Sequence, residues 1–331
     1  MSKKKFGPSF CGLLLVIITL LLSACSPMAN SKSTSKDVKQ TVRIGYQKNG
    51  PLIILKNKGT LEKKLQPLGF SVEWVQFQAG PPILESLNAG SLDFGRTGDS
   101  PPIFAQAAGS SLVYTAVGKP KSDGSAVLVK ENSPIRTLED LKGKTIGFAK
   151  GSSSHYLLVK ALKKAGLGLE DIKPAYLSPG DARVAFEQGK IDAWVVWDPF
   201  TADAEITAKA RILTSGEGLA TDRDLFLASE KFAKEHGDII KIIIEEIQNV
   251  SDWANQHPEE LTEMLSTALG IDKASMKLAV ERREYGLVDL DDEIIQEQQQ
   301  IADTFYDLKM IPKKVNVAEQ IYHVDKKDEK R

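Results

Sequence analysis

Cysteine is almost missing from this chain. Cys11 and Cys25 are its only two in 331 residues, and both precede the first strand-like segment. No disulfide is therefore available to brace the folded part, whose stability must come from its core. The four histidines, His155, His236, His257 and His323, are scattered without metal-ligand spacing. No Gly-x-x-x-x-Gly-Lys loop occurs, which argues against a nucleotide. No basic block follows the first residues and the sequence pI is about 6.5, which argues against nucleic acid. Long apolar runs are lacking too. The one present, Cys11 to Leu22, is short for a spanning helix of about 20 residues. What is there is an ordinary globular composition, 42% hydrophobic and 26% charged with net charge −1, long enough for two compact lobes.

The N-terminus stands apart. Lys3, Lys4 and Lys5 precede the apolar run, and small residues follow it, as in a secretory signal. The plain readings are a signal cut at a small-residue site or an uncleaved anchor. Leu22-Ser23-Ala24-Cys25 also resembles the bacterial lipoprotein signal pattern. That resemblance implies a signal peptide over 1–24, with Cys25 as the lipid-bearing first residue of the mature chain. Removing 1–24 takes away three lysines and no acid, so the net charge of −1 becomes −4. Residues 25–40 are polar, rich in Ser and Lys and without periodicity, and read as a flexible tether.

From Thr41 the pattern becomes strand, loop, helix at short spacing, which predicts an α/β fold with parallel sheets. Val42 to Tyr46, Phe70 to Phe77 and Asp93 to Gly95 read as strands, and Leu52 to Lys64 as one helix. The signals then return. Gly45, Tyr46 and Lys48 answer Gly147, Phe148 and Lys150, while Gly90, Asp93 and Asp99 answer Gly189, Asp192 and Asp198. Such a repeat predicts two similar lobes sharing a cleft at their strand ends. The first lobe is expected over 41–124, the second over 125–225. A mostly helical return to the first lobe follows over 226–320, and 321–331 is a charged tail.

Gly151-Ser152-Ser153-Ser154-His155 raises the question of chemistry. A serine nucleophile would need His155 as base, but neighbours in a helix's first turn do not face one another. The Gly-x-Ser-x-Gly elbow is absent. Asp99 and Asp198 could pair as acid and base, yet each stands where aspartate commonly caps a turn. An anion cradle fits better. Gly151 permits a tight bend, Ser152 or Ser153 suits an N-cap, and a helix start favours negative charge. Asn49-Gly50-Pro51 opens the counterpart helix in the other lobe. Trp194, Trp197, Tyr46 and Phe77 near strand ends could wall an organic tail, although each alone could equally be core.

Several of these segments, in order, closely resemble the aliphatic sulfonate-binding proteins (SsuA) of ABC importers. They are Ile44 to Lys48, Phe77 to Gly109, Glu131 to Lys144, Lys150 to Leu158 and Ala193 to Phe200. The resemblance implies a type II periplasmic-binding-protein fold, two α/β lobes with a hinged central cleft. It implies a lipid-anchored, monomeric binder on the extracytoplasmic face, with no catalytic activity, metal or cofactor. Such a protein delivers alkanesulfonates for sulfur acquisition to a membrane permease and, through it, to an ATPase subunit. Taurine, nitrate and aromatic or pyrimidine precursors are the ligands of similar proteins, and some enzymes share the fold. Carried over by motif, the ligand contacts are Gln47, Gly80, Pro81, Thr97, Gly98, Asp99, Ser152, Ser153, Ser154, His155, Trp197 and Asp198. Arg283 falls where relatives carry an arginine before prolines, but here Glu284 and Tyr285 follow. Arg96 departs from the small residue usual in relatives, and would either add positive potential or face solvent.

Overall fold

A computed structural model describes residues 40–322. The signal sequence, Cys11, Cys25, the tether up to Lys39, His323 and the charged tail lie outside them. The first lobe begins with β1 (Gln40–Tyr46), α1 (Pro51–Lys58), α2 (Thr60–Leu65) and β2 (Phe70–Gln76). It continues through α3 (Gly80–Asn88), β3 (Phe94–Thr97), α4 (Pro101–Ala107) and β4 (Leu112–Gly118). The single helix expected over Leu52 to Lys64 is two. Gly59 takes the left-handed conformation at φ 60° and its N–H closes α1 on the Leu55 carbonyl, so the axis breaks there.

The chain then enters the second sheet. Its elements are β5 (Ser125–Lys130), β6 (Thr145–Phe148), α5 (Ser153–Lys164), β7 (Lys173–Tyr176), α6 (Pro179–Glu187), β8 (Ala193–Trp197), α7 (Phe200–Thr207) and β9 (Ala210–Ser215). The return comprises β10 (Leu225–Ser229), α8 (Glu230–Glu235), α9 (Gly237–Gln256), α10 (Pro258–Leu269), α11 (Lys273–Glu281), β11 (Leu287–Val288) and α12 (Asp292–Asp307).

The sheets are ordered β11-β4-β10-β3-β1-β2 and β7-β6-β8-β5-β9. Both are mixed, not parallel throughout as expected. β1, β2 and β3 run parallel, as do β6, β7 and β8, but β10 lies antiparallel between β3 and β4, and β5 between β8 and β9. β10 and β5 are the strands that arrive from the other lobe, while β11, also antiparallel to β4, follows the return helices. A chain crossing at the strand ends enters the next sheet from that end, and so runs against its neighbours.

Alternation along these strands fills two cores per sheet. Val127 and Val129 of β5 face one core, and Ala126 and Leu128 the other. β10 does the same with Phe226 and Ala228 against Leu225 and Leu227. Strands buried on both faces read as continuous apolar runs. In α9, Ile239, Ile240, Ile243, Ile247 and Val250 recur at helical spacing, and all join the core of Val42, Ile44 and Leu52.

The internal repeat is present in atomic detail. Asp93 Oδ2 accepts from the Arg43 N–H at 2.8 Å, and Asp192 Oδ2 from the Thr145 N–H at 2.8 Å. Each carboxylate thereby ties the start of its own strand to a parallel neighbour, β3 to β1 and β8 to β6. A β-carbon at Gly45 would lie 2.6 Å from Leu92, and one at Gly147 2.5 Å from Ile191. Both glycines lie against the tip of an apolar side chain, Leu92 or Ile191, from the loop before the neighbouring strand.

Candidate functional site

The strand ends of the two sheets meet at a small chamber. From the first lobe it is lined by Gln47, Asn49, Gly80, Arg96, Gly98 and Pro101, and from the second by Ser152, Ser153 and Trp197. The crossing segments supply Lys121 and Asp222. The lobes are closed on it: a side chain at Gly98 would run into Ser153 Oγ, and Asn49 Nδ2 donates to the Asp198 carbonyl at 3.2 Å.

Four helix starts, those of α1, α3, α4 and α5, meet around this space, and none has a side-chain cap. Of the other eight helices among the described residues, α6, α8, α11 and α12 are capped by Ser178, Ser229, Asp272 and Asp291, and α2, α7, α9 and α10 have no side-chain cap. The first N–H groups of a helix have no intrahelical partner. Pro51, Pro81, Pro82, Pro101 and Pro102 carry no N–H, and the Ile103 N–H is taken by the Ser100 carbonyl at 3.1 Å, so α4 contributes its dipole rather than donors and α3 loses two. The positive ends of all four helix dipoles still point at one small volume. At α5, Gly151 has φ +73°, which turns the chain sharply into the helix. Ser152 occupies the N-cap position, but its hydroxyl donates back to the Ala149 carbonyl at 2.7 Å. The capping role expected of that serine side chain is not the one it plays.

His155 does not line the chamber. It is fully buried behind the loop, where its Nδ1 accepts the Gly151 N–H at 3.2 Å and its ring packs on Phe148 at 4.9 Å. Burial, and then the Lys150 charge, pull it down to about 4, so the imidazole is neutral near pH 7. It braces the loop and is paired with no serine. Ser154, Thr97 and Asp99 are buried outside the chamber's lining, and Pro81 is half-buried outside it. Thr97 Oγ1 donates to the Gly98 carbonyl at 2.8 Å and so shapes the loop. Of the aromatic residues expected to form a wall, Trp197 reaches the chamber. Trp194 packs on Phe186 and Tyr46 on Trp74, both within cores, and Phe77 packs at the edge of another.

Asp198 and Arg283 line a second chamber beside the first. Arg96 does not face solvent. It is 1% exposed, pairs with Asp224, and donates to Asn49 Oδ1 at 2.6 Å and Gln47 Oε1 at 3.3 Å. Asp224 also holds Arg283. Lys121 meets Asp222 at 2.6 Å and Asp224 at 3.7 Å, and Ser125 donates to Asp222. Burial alone would raise Asp224, but Arg283, Arg96 and Lys121 together hold it well below the usual carboxylate range.

Lys121, Asp222 and Asp224 were absent from the sequence-derived site. Their one sequence signal was position: they stand on the two segments that cross between lobes, where the Lys121 N–H bonds the Thr221 carbonyl at 2.9 Å. Among the described residues, no group of three or more His, Cys, Asp or Glu side chains could hold a metal ion, and no helix is long and apolar enough to cross a membrane.

A family profile described as NMT1/THI5 like matches residues 66–261. The chain is 38% identical over 307 residues to a protein of Escherichia coli (strain K12) named for binding aliphatic sulfonates, covering 92% of this chain and 96% of that one. The alkanesulfonate-binding protein SsuA of Xanthomonas axonopodis pv. citri, solved bound to MOPS, superposes with a TM-score of 0.82 at 38% identity, over 85% of this chain and 98% of that one. The periplasmic aliphatic sulphonate-binding protein SsuA of Escherichia coli superposes with a TM-score of 0.78 at 40% identity, over 86% and 92%.

Proposed function

This chain belongs to the aliphatic sulfonate-binding (SsuA) family, and from that premise we propose that it captures alkanesulfonates in the inter-lobe chamber and delivers them to an ABC permease. The observation that carries the reading is the set of uncapped helix starts around one chamber. A sulfonate is ionised at any physiological pH and only accepts hydrogen bonds, so its complement is a wall of N–H and O–H donors without a titrating base. Gln47, Asn49, Ser153 and the backbone at Gly80 and Gly98 supply such donors, and Arg96 and Lys121, each paired with an aspartate, supply positive charge. His155, neutral and facing away, offers no base to a serine, which favours binding over turnover. Micromolar affinity is worth about −8 kcal/mol, within reach of a ligand of this size.

Calorimetric titration with methanesulfonate tests the site. Ser153→Ala should cost about 0.5–3 kcal/mol, because a donor to a charged partner is lost. Ser153→Asp should cost far more by placing a carboxylate against the anion, while a carboxylate in the first turn of α5 suits the helix dipole, so its melting curve should stay near the parent's. Undiminished binding by Ser153→Asp would mean that the anion sits elsewhere.

Membrane attachment through lipid on Cys25 completes the proposal, since a protein that feeds a permease gains from being held near it. Cys25→Ser should abolish lipid labelling and release the protein from the membrane fraction. Labelling that persists in the variant would overturn the attachment site.

A further inference from the structure

Two side chains of the chamber, Gln47 and Asn49, are amides. An amide can turn either end to a ligand, an oxygen that accepts or a nitrogen that donates. Arg96 decides which end. Its Nη1 donates to Gln47 Oε1 at 3.3 Å and to Asn49 Oδ1 at 2.6 Å. A guanidinium has donors only, so an amide beside it gives its oxygen and sends its nitrogen elsewhere. The guanidinium is itself clamped. Its Nη2 is held by Asp224, and a β-carbon at Gly50 would lie 3.0 Å from its Nε, against the start of α1. Asn49 Nδ2 then reaches the Asp198 carbonyl of the other lobe at 3.2 Å, which leaves it a second N–H. Gln47 Nε2 has no protein partner among the described residues.

We infer that Arg96 is a positioning residue that sets specificity: by turning both amides, it makes the chamber prefer heads without a proton over protonated heads of equal charge. The inference deepens the sulfonate reading above and rests on it. A sulfonate only accepts hydrogen bonds, so two amide nitrogens suit it and two amide oxygens would repel it. A phosphonate that keeps one proton has the same charge and nearly the same shape, but its O–H needs an acceptor. Gln47, once turned, offers none, and a donor that faces a donor leaves both without a bond. Other acceptors stand near. The Ser152 and Ser153 hydroxyls can accept, Asp222 lines the chamber with one oxygen on Lys121 and the other on Ser125, and the unpartnered Asp198 Oδ2 belongs to a residue of the adjoining chamber. None of these is bonded to Arg96, so they act alike in the parent and in a variant at position 96.

The test is calorimetric titration of the full mature chain with methanesulfonate and methylphosphonate, at one pH where the phosphonate keeps a proton. The parent should prefer methanesulfonate by about tenfold or more, the worth of one lost bond. The double variant Arg96→Met with Asp224→Asn removes one charge of each sign and frees both amides. It should lower that preference by about fivefold or more. A general loss of packing would weaken both anions alike and leave the preference unchanged. Gln47→Glu keeps an oxygen on Arg96 and turns a second one to the ligand, so it should lower the preference too. Melting curves accompany both variants. Equal parent affinity for the two anions would overturn the role of Arg96 and leave the sulfonate site standing. So would a preference unchanged in the double variant, or in Gln47→Glu if the double variant does not fold. No binding of methanesulfonate by the parent would overturn the sulfonate reading itself.

Discussion

Asp99 is 1% exposed, its Oδ1 takes the Ser100 hydroxyl at 2.8 Å, and its Oδ2 has no partner among the described residues. Burial, and then the charge of Asp222, push its carboxyl up to about 7. An unfolded aspartate titrates near 3.8. Between these values the folded state binds the extra proton, so this group's contribution to stability is full below about pH 4 and is lost as pH rises through about 7. Asp198, pushed up to about 7 by burial against the opposing pull of Arg282, acts in the same sense. Asp224 acts in the opposite sense: its stabilising anion is lost only as pH falls below the ordinary aspartate value. Asp99→Asn keeps a neutral, hydrogen-bonding side chain and removes one titration. Its melting temperature should decline less than the parent's between about pH 4 and pH 7. Other groups cancel in that difference, and parallel declines would show that Asp99 is ionised throughout.

At the scale of elements, the end of α11 meets the side of α7. Arg282 at the C-terminus of α11 reaches Glu205 of α7 at 2.6 Å, and Ser275 in the first turn of α11 reaches Asp203 at 3.3 Å. These contacts join the helical return to the second lobe and so favour the closed arrangement. The ion pair is partly exposed, and such pairs are worth about 0.2–1 kcal/mol. Arg282→Gln should shift the balance towards open molecules by that amount. Release of a bound sulfonate, followed by stopped flow, should quicken by up to about fivefold; slower release would mean that the contact opposes closure.

The helices themselves were largely legible in the sequence, because Pro258, Asp272 and Asp291 mark their starts and α9 keeps its period over 20 residues. The break at Gly59 was not, since apolar residues continue on both sides and only a φ of 60° reveals it. The reversal of β5 and β10 was hidden for a different reason: strand direction depends on where the chain crosses, which local pattern does not encode.

Across the whole molecule, the repeat of Gly45 and Asp93 in Gly147 and Asp192 was readable because each residue answers a demand of one lobe alone. The charged network was not, because Arg96, Lys121, Asp224 and Arg283 acquire their roles only when both crossings and the return helices come together. The converging helix starts carry a last consequence. Three of them open on proline, Pro51, Pro81 with Pro82, and Pro101 with Pro102, whose rings fix the backbone of the first turn. A rim held in shape by such rings is already ordered before anything arrives, so less chain freedom is left to lose when the space is filled.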